Sequence, residues 1–280
     1  MTNFFIALQY LLPQHFVSRV VGKLAASEIG FIKSTFINIF KWKFGISLAQ
    51  AERKNTQDYT SFNDFFCRAL DTDARPIAEE KQKVTSPADG AFSQLGPIKE
   101  GRIFQAKGQT YSCEELLACD SDAETYKEGE FATIYLSPKD YHRLHMPVDG
   151  KLRKMTFIPG DLFSVNQITA ENVPRVFSRN ERLVCHFDTE KGPMVMVLVG
   201  AMIVASIETV WAGTIAPSKS GVSHKSYDDG IELKKGEEMG RFKLGSTVIL
   251  LYPEKTLNWE ADLKASSPIK MGEAIATLAE

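Results

Sequence analysis

The sequence predicts an α+β fold, in which an N-terminal amphipathic helical arm precedes a strand-rich body. In roughly the first 45 residues, apolar side chains recur every three or four positions, as on one face of a helix. Beyond about residue 60, short apolar runs alternate with Gly, Pro and Asp, which is typical of strands joined by turns. With 280 residues, of which 44% are hydrophobic, the chain can bury the core of one large domain.

The arm contains two apolar stripes. The first repeats every four residues and comprises Phe4, Leu8, Leu12, Phe16, Val20 and Leu24. Pro13 lies inside this stripe, and because proline cannot donate the helical hydrogen bond, we expect two helical segments there. The second stripe comprises Ile32, Phe36, Ile39, Phe40 and Phe44, and Gly45 follows it as the expected stop.

Charge separates the arm from the body. Residues 1–47 carry a net charge of +4 and the remainder carries −6. Basic residues beside aromatic-rich stripes are typical of helices that lie on an anionic membrane surface. We therefore predict that residues 1–60 form a membrane-association region and residues 61–280 the body domain. The periodicity is equally consistent with helices that only pack against the body.

The strands of the body are predicted from five apolar runs: 131–136, 152–158, 182–187, 194–207 and 247–252. Between these runs, the stretch from Glu114 to Lys127 predicts a helix followed by an acidic loop. The stretch from Pro217 to Asp229 predicts a polar loop.

Composition argues against several classes of protein. The four cysteines, Cys67, Cys113, Cys119 and Cys185, form no CxxC pair, which disfavours a zinc ribbon or disulfide scaffold and favours a reducing compartment. The longest apolar run is shorter than the roughly 20 residues that span a bilayer, and the N-terminus lacks the features of a secretory signal. We expect a protein inside the cell that binds no nucleic acid, because the body lacks a basic, aromatic-rich patch.

Two of the five histidines lie close together near the middle of the chain. Ser137 and Pro138 predict the start of a helix, with Asp140 three residues after the cap. A helical turn there would place His142 and His145 on one face. This spacing could suit a metal pair, but no third ligand is near in the sequence, so we predict no metal site.

The stretch Leu244-Gly245-Ser246-Thr247 contains a Gly-Ser peptide that could cleave itself. Gly245 leaves the backbone flexible and puts no side chain against its carbonyl, so the Ser246 hydroxyl could attack that carbon in an N-to-O acyl shift. On their own, these four residues equally suit a turn before the apolar run that follows.

Longer motifs make the sequence similar to the phosphatidylserine decarboxylase family. The run from Glu238 to Thr247 resembles the self-processing site of that family. Further segments resemble family motifs in the same order along the chain: Phe65-Phe66-Cys67-Arg68, Ala74-Arg75-Pro76-Ile77, Ser86-Pro87-Ala88-Asp89-Gly90, Tyr141-His142-Arg143-Leu144-His145-Met146-Pro147 and Pro159-Gly160-Asp161-Leu162-Phe163-Ser164-Val165-Asn166. The resemblance covers about residues 62 to 247 and is more specific than any single motif.

The resemblance implies a precursor that cuts itself between Gly245 and Ser246. Ser246 would be the nucleophile, His145 its base and Asp89 the residue that orients the base. An ester at Ser246, β-elimination and hydrolysis would follow. The products would be a large chain ending at Gly245 and a small chain, 246–280, that begins with a pyruvoyl group.

This covalent pyruvoyl group is the one cofactor that the resemblance implies. Its carbonyl would form a Schiff base with the amine of phosphatidylserine and accept the electrons left by departing CO₂, giving phosphatidylethanolamine. His142 would protonate the carbanion-like intermediate, because an imidazole titrates near neutral pH. Tyr135, Phe163, Ser164 and Asn166 are predicted to line the headgroup pocket.

The resemblance implies a peripheral protein on the cytoplasmic side of the cell membrane, with an anionic membrane surface as partner. It also suggests a homodimer. Two other functions stay open. One is a serine hydrolase that uses Ser246, His145 and Asp89 on an external acyl substrate, although the sequence lacks a Gly-x-Ser-x-Gly motif. The other is a lipid-surface scaffold whose motifs are coincidental.

Overall fold

The computed structural model describes residues 2–202, 206–215, 221–243 and 246–279. It confirms the α+β fold, since helices dominate the arm and strands dominate the body. The described residues contain these α-helices: α1 (Thr2–Leu11), α2 (Gln14–Ala25), α3 (Gly30–Phe44), α4 (Phe62–Phe66), α5 (Cys113–Leu117), α6 (Asp120–Glu124), α7 (Gln167–Asn172) and α8 (Val176–Arg179).

The strands begin at Lys83 and continue almost to the C-terminus. They are β1 (Lys83–Thr85), β2 (Gly90–Pro97), β3 (Arg102–Ala106), β4 (Gln109–Ser112), β5 (Glu130–Leu136), β6 (Arg143–His145), β7 (Gly150–Ile158), β8 (Arg182–Thr189), β9 (Gly192–Val199), β10 (Ile207–Thr209), β11 (Gly213–Thr214), β12 (Ser223–Leu233), β13 (Glu238–Phe242), β14 (Ser246–Tyr252), β15 (Leu257–Trp259), β16 (Pro268–Ile269) and β17 (Ala274–Leu278).

One eight-stranded antiparallel sheet organises the body, in the order β12-β7-β8-β9-β14-β5-β2-β16. Three smaller sheets surround it, in the orders β1-β17-β15, β11-β10-β13-β6 and β3-β4. The strand β14 lies inside the large sheet between β9 and β5 and is buried at every residue. An apolar strand that is buried on both faces stabilises the sheet and holds its ends in fixed positions.

The helices of the arm agree with the two predicted stripes. Helix α1 ends before Pro13 and α2 begins after it. Helix α3 ends at Phe44 and is followed by Gly45, whose φ of 63° is the left-handed conformation that glycine adopts without strain. Among the described residues, no helix is both long enough and apolar enough to cross a bilayer.

Four of the five predicted strands are confirmed as β5, β7, β8 and β14. The fifth prediction was wrong in length: the strand β9 ends at Val199, and residues 203–205 lie outside the described residues. The acidic loop expected before Lys127 is replaced in part by the helix α6, which follows α5.

The polar loop predicted from Pro217 to Asp229 was also wrong where the structure describes it. Residues 223–229 belong to the edge strand β12, which pairs with β7. An edge strand exposed to water needs no apolar run, because backbone hydrogen bonds to one neighbour hold it. The rest of the predicted loop, up to residue 220, lies outside the described residues.

Candidate active site

Three neighbouring strands of the large sheet, β14, β5 and β2, bring the predicted site residues Ser246 and Asp89 to the same end of the sheet. Ser246 begins β14 and pairs with Leu136, the last residue of β5. On the other side of β5, Ala91 of β2 pairs with Tyr135, so Asp89, which directly precedes β2, lies at the same end of these strands. Two steps of about 4.8 Å between strands separate the backbone of β14 from that of β2.

Ser246 occupies a closed position at this edge. Its side chain is completely buried, and its Oγ has no hydrogen-bond partner among the described residues. A buried hydroxyl without a partner is uncommon in a folded protein and calls for an explanation, although the neighbouring Thr247 hydroxyl shares this property. Leu244 and Gly245, which precede it, lie outside the described residues.

His145 has the protonation state that a general base requires. Its Nδ1 lies 2.8 Å from the carbonyl oxygen of Gly236, which can only accept, so Nδ1 carries the proton. Nε2 then holds the lone pair and accepts from the Tyr141 hydroxyl at 3.0 Å. Burial lowers the pKa of His145 more than the nearby charges of Glu238 and Asp89 raise it, so the imidazole is neutral at pH 7.

Asp89 is held by groups other than His145. Its carboxylate accepts three hydrogen bonds from Arg75, at 2.8 and 3.1 Å from Nε and 2.5 Å from Nη2, and one of 2.9 Å from the Met271 amide. The backbone brings the two predicted residues near each other, because the His145 amide donates to the Pro87 carbonyl at 2.9 Å. The described residues include no direct hydrogen bond between Asp89 and His145 or between His145 and Ser246.

His142 is completely buried and has one free nitrogen. Its Nδ1 donates to the Asp140 carbonyl at 2.8 Å, while Nε2 has no partner among the described residues. The ring lies against Phe66, with centroids 4.0 Å apart, and burial lowers the pKa of His142 to about 3. The His142 carbonyl accepts from the Phe242 amide at 3.0 Å, which ties it to the strand that leads to the processing motif.

The helical turn predicted for these histidines was wrong. The Ser137 amide donates to the Asp140 carboxylate at 2.7 Å, which closes a turn. The chain then extends into β6, which pairs with β13. Because side chains alternate along extended backbone, residues three positions apart do not share a face. This pairing spans almost 100 residues, so local sequence signals could not reveal it.

The four predicted headgroup residues fall in two places. The ring of Tyr135 belongs to the sheet face of Thr247 and Ala91, its paired neighbours, and so to the face opposite that of Ser246. The other three, Phe163, Ser164 and Asn166, form a segment before α7, in which the Asn166 side chain caps the helix by accepting from the Thr169 amide. Their role in substrate binding stays a prediction.

Helices α1 and α2 hold this segment through polar contacts. Gln9 accepts from the Ser164 amide at 2.8 Å, and Gln14 accepts from the Leu162 amide at 2.7 Å. His15 donates to the Gly160 carbonyl at 3.0 Å. The arm is therefore bonded to the segment that carries Phe163 and Ser164, a connection that periodicity could not reveal.

Two arginines and a tyrosine of the site had no predicted role. Arg75 binds Asp89, Tyr141 binds His145, and Arg68 is buried close enough to lower the pKa of His142 by its charge. All three belong to motifs that carried the family resemblance, and their place in those motifs was the available signal. No group of three or more His, Cys, Asp or Glu side chains in the described part of the chain could hold a metal ion.

The site and its fold agree with the comparisons to known proteins. A family model described as phosphatidylserine decarboxylase matches residues 62–277, and a second, described as PSD, matches residues 4–45. The chain belongs to the phosphatidylserine decarboxylase family, whose members are carboxy-lyases.

Relatives similar over nearly the full chain carry the name phosphatidylserine decarboxylase proenzyme. One from Saccharophagus degradans is 55% identical over 279 residues, which cover 99% of this chain and 98% of the relative. One from Hahella chejuensis is 53% identical over 276 residues, which cover 98% and 93%. One from Pseudomonas fluorescens is 53% identical over 277 residues, which cover 97% of both.

Proposed function

We propose that this chain is a precursor that makes its own pyruvoyl cofactor from Ser246 and then converts phosphatidylserine into phosphatidylethanolamine and CO₂. One observation carries the proposal: the Ser246 hydroxyl is buried, has no described partner and follows Gly245 directly. A serine that attacks its own backbone needs no access from outside. A hydrolase acting on an external acyl group does, so the burial disfavours that alternative. The word proenzyme in the relatives' names also supports a processed product.

The first step is removal of the proton from Ser246 Oγ. His145 is suited to this step because it is neutral and its lone pair lies on Nε2. The Tyr141 hydroxyl, which donates to that nitrogen, can pass its proton to Nε2 while it takes the serine proton. Asp89 then stabilises the resulting imidazolium through its charge rather than through a hydrogen bond.

Cleavage follows from attack by Oγ on the carbonyl carbon of Gly245, which replaces the peptide bond by an ester and frees the amine of residue 246. Loss of the α-proton and departure of the Gly245 carboxylate break the Cβ–O bond and leave dehydroalanine. Water then displaces the nitrogen as ammonia. A large chain ending at Gly245 and a small chain, 246–280, result.

The site fits a pyruvoyl group, because the serine from which it would form is buried and its hydroxyl is bonded to no other group among the described residues. When formed, its carbonyl supplies an electrophile for the substrate amine and an acceptor for the electron pair left by CO₂. No amino-acid side chain offers both. This chain's own residues must then supply proton transfer and substrate binding.

His142 is suited to take a proton from the substrate amine and later return it to the substrate carbon. The amine of the substrate is an ammonium ion at neutral pH and must lose a proton before it can act as a nucleophile. Nε2 of His142 is free to take that proton, because its Nδ1 is committed to the Asp140 carbonyl. Since burial lowers the pKa of His142 to about 3, this transfer depends on the anionic groups of the bound substrate, which favour the imidazolium. After CO₂ departs, the same nitrogen returns the proton to the substrate carbon.

We also propose that the arm lies on the cytoplasmic surface of an anionic membrane, as a lipid substrate requires. Its outer face exposes large apolar side chains, among them Leu11, Phe31 and Trp42, each more than 80% accessible. Lys41 and Lys43 lie in the last turn of α3, beside Trp42. A homodimer stays a prediction.

Reductive trapping tests the function. We expect a soluble short-chain phosphatidylserine to yield the corresponding phosphatidylethanolamine and CO₂. Cyanoborohydride added during turnover is expected to attach the lipid to the 246–280 chain, visible as a mass increase of that chain alone. Trapping on no chain, or serine-directed labelling of an uncut protein at Ser246, would instead support a hydrolase.

A further inference from the structure

One buried arginine of the site lacks the partners that such a residue normally has. Arg68 follows α4 and is 5% exposed. Its Nη2 donates to the Lys139 carbonyl at 3.1 Å, while Nε and Nη1 have no partner among the described residues. Arg182, which is 3% exposed, donates from all three nitrogens to backbone carbonyls. The chain can therefore satisfy a buried guanidinium, and at Arg68 the described residues do not.

The nearby acids do not neutralise Arg68. Asp89 is bound by Arg75, and the Asp140 carboxylate accepts from the Ser137 amide. Both act on Arg68 through space only. A buried cation without a bonded anion is costly, so its presence beside a functional site calls for a ligand.

Arg68 lines a cavity of about 420 Å³ next to the site. Asp89, Gly90 and Tyr141 form part of the same wall, and Ile46 and Ser47, just after α3, form another part. This volume is in the range of small-molecule sites. Ser246, His142 and His145 do not line this cavity, but Asp89 and Tyr141, which neighbour them, do. The cavity therefore adjoins the proposed catalytic residues on one side and the end of α3 on the other.

We propose that Arg68 binds the phosphodiester of the substrate headgroup in this cavity, an inference that rests on the proposed function. A guanidinium presents its N–H groups in a planar fork that matches phosphate oxygens. The substrate carboxylate is the less suitable anion. An ion pair with it would stabilise the ground state and would be lost as CO₂ forms, which opposes the reaction.

The test compares R68Q and R68K with the wild type after self-cleavage, with a soluble short-chain phosphatidylserine. We expect R68Q to raise KM on the order of tenfold to a hundredfold, with kcat reduced less, because a charge-assisted contact is lost. R68K keeps the charge but not the fork, so its KM should rise less. R153Q is the control: Arg153 pairs with Asp188 at the surface, and its loss should leave KM unchanged.

Competition by short-chain phosphatidylethanolamine identifies the anion, because this product keeps the phosphodiester and lacks the carboxylate. The proposal predicts that R68Q weakens product inhibition by a factor similar to that for KM. An unchanged KM, or a raised KM with unchanged product inhibition, would overturn it. Should R68Q fail to fold or to process, the same two measurements on R68K decide. A wild type without turnover would refute the proposed function instead.

Discussion

The arm and the body distribute their apolar side chains in opposite ways. In the body, the central strand β14 is buried at every position. In the arm, Phe31 and Trp42 are 81% and 85% exposed, whereas Gln9 is only 2% exposed. A water-soluble helix normally shows the reverse arrangement. The arm is therefore attached to the body both by polar contacts and by apolar residues of α3 such as Ile37 and Phe40, and it leaves a second apolar surface, with Phe31 and Trp42, exposed.

The comparison shows where each part connects with the site. Polar contacts from Gln9 and Gln14 hold the segment that carries Ser164. On the other side, Phe40 of α3 packs against Phe66, with ring centroids 5.7 Å apart, and Phe66 packs against His142. The body supplies the residues proposed for catalysis. The arm contacts the site at two places, the segment that carries Ser164 and the aromatic ring that packs against His142.

The largest loss of self-cleavage and of decarboxylase activity is expected from replacing the proposed nucleophile in the body. Ser246→Ala removes the attacking oxygen, so self-cleavage and decarboxylation should both be abolished while the fold is retained. Mass spectrometry should show one full-length chain. Ser223→Ala, on the exposed edge strand β12, serves as the control and should process normally. Two chains from the Ser246 variant would refute its role.

The next largest effect distinguishes the proposed role of His142 in decarboxylation from that of His145 in self-cleavage. His142→Ala should leave self-cleavage intact and lower kcat on the order of a hundredfold to ten-thousandfold, because general acid–base catalysis contributes that much. Mass spectrometry and the rate of CO₂ release give the two readouts. The control is His224→Ala, at an exposed histidine. Loss of cleavage together with turnover would contradict the separate roles.

The apolar face of the arm should affect only the membrane reaction. Replacing Phe31 and Trp42 by serine removes two exposed aromatic side chains, and activity on anionic vesicles should fall about tenfold or more. Kinetics with a soluble short-chain substrate should stay unchanged. Phe104→Ser, at a partly exposed aromatic residue of the body, should change neither. Equal losses on both substrates would mean that the arm is structural.

The smallest effect is expected from the buried polar side of the arm. Gln9→Leu leaves the Ser164 amide without its acceptor and should lower the free energy of unfolding by about 1–3 kcal/mol. A lower melting temperature and a modest loss of activity on the soluble substrate should follow. Gln82→Leu, at an exposed position, is the control. Unchanged stability would show that this contact does not hold the arm.

Features with a local cause could be predicted from the sequence. The break at Pro13, the stop at Gly45 and the apolar strand β14 each follow from residues within a few positions. Features that depend on distant partners could not. The pairing of β6 with β13 replaced an expected helical turn, and the pairing of β12 with β7 replaced an expected loop.

The site shows the same division. The positions Asp89, His145 and Ser246 came from a motif resemblance, which contains no geometry. The structure adds that Asp89 bonds to Arg75 and that His145 bonds to Tyr141. The contact between Arg75 and Asp89 joins residues 14 positions apart and has no local signal. The contact between Tyr141 and His145 lies within one motif, but it needs the extended backbone that replaces the predicted helical turn.

The central claim is that the chain cuts itself at Ser246, and the intact mass under denaturing conditions tests it most directly. We expect two chains, with the smaller one comprising residues 246–280 and starting with a pyruvoyl group in place of serine. A single full-length chain whose mass stays unchanged after prolonged incubation would contradict the claim.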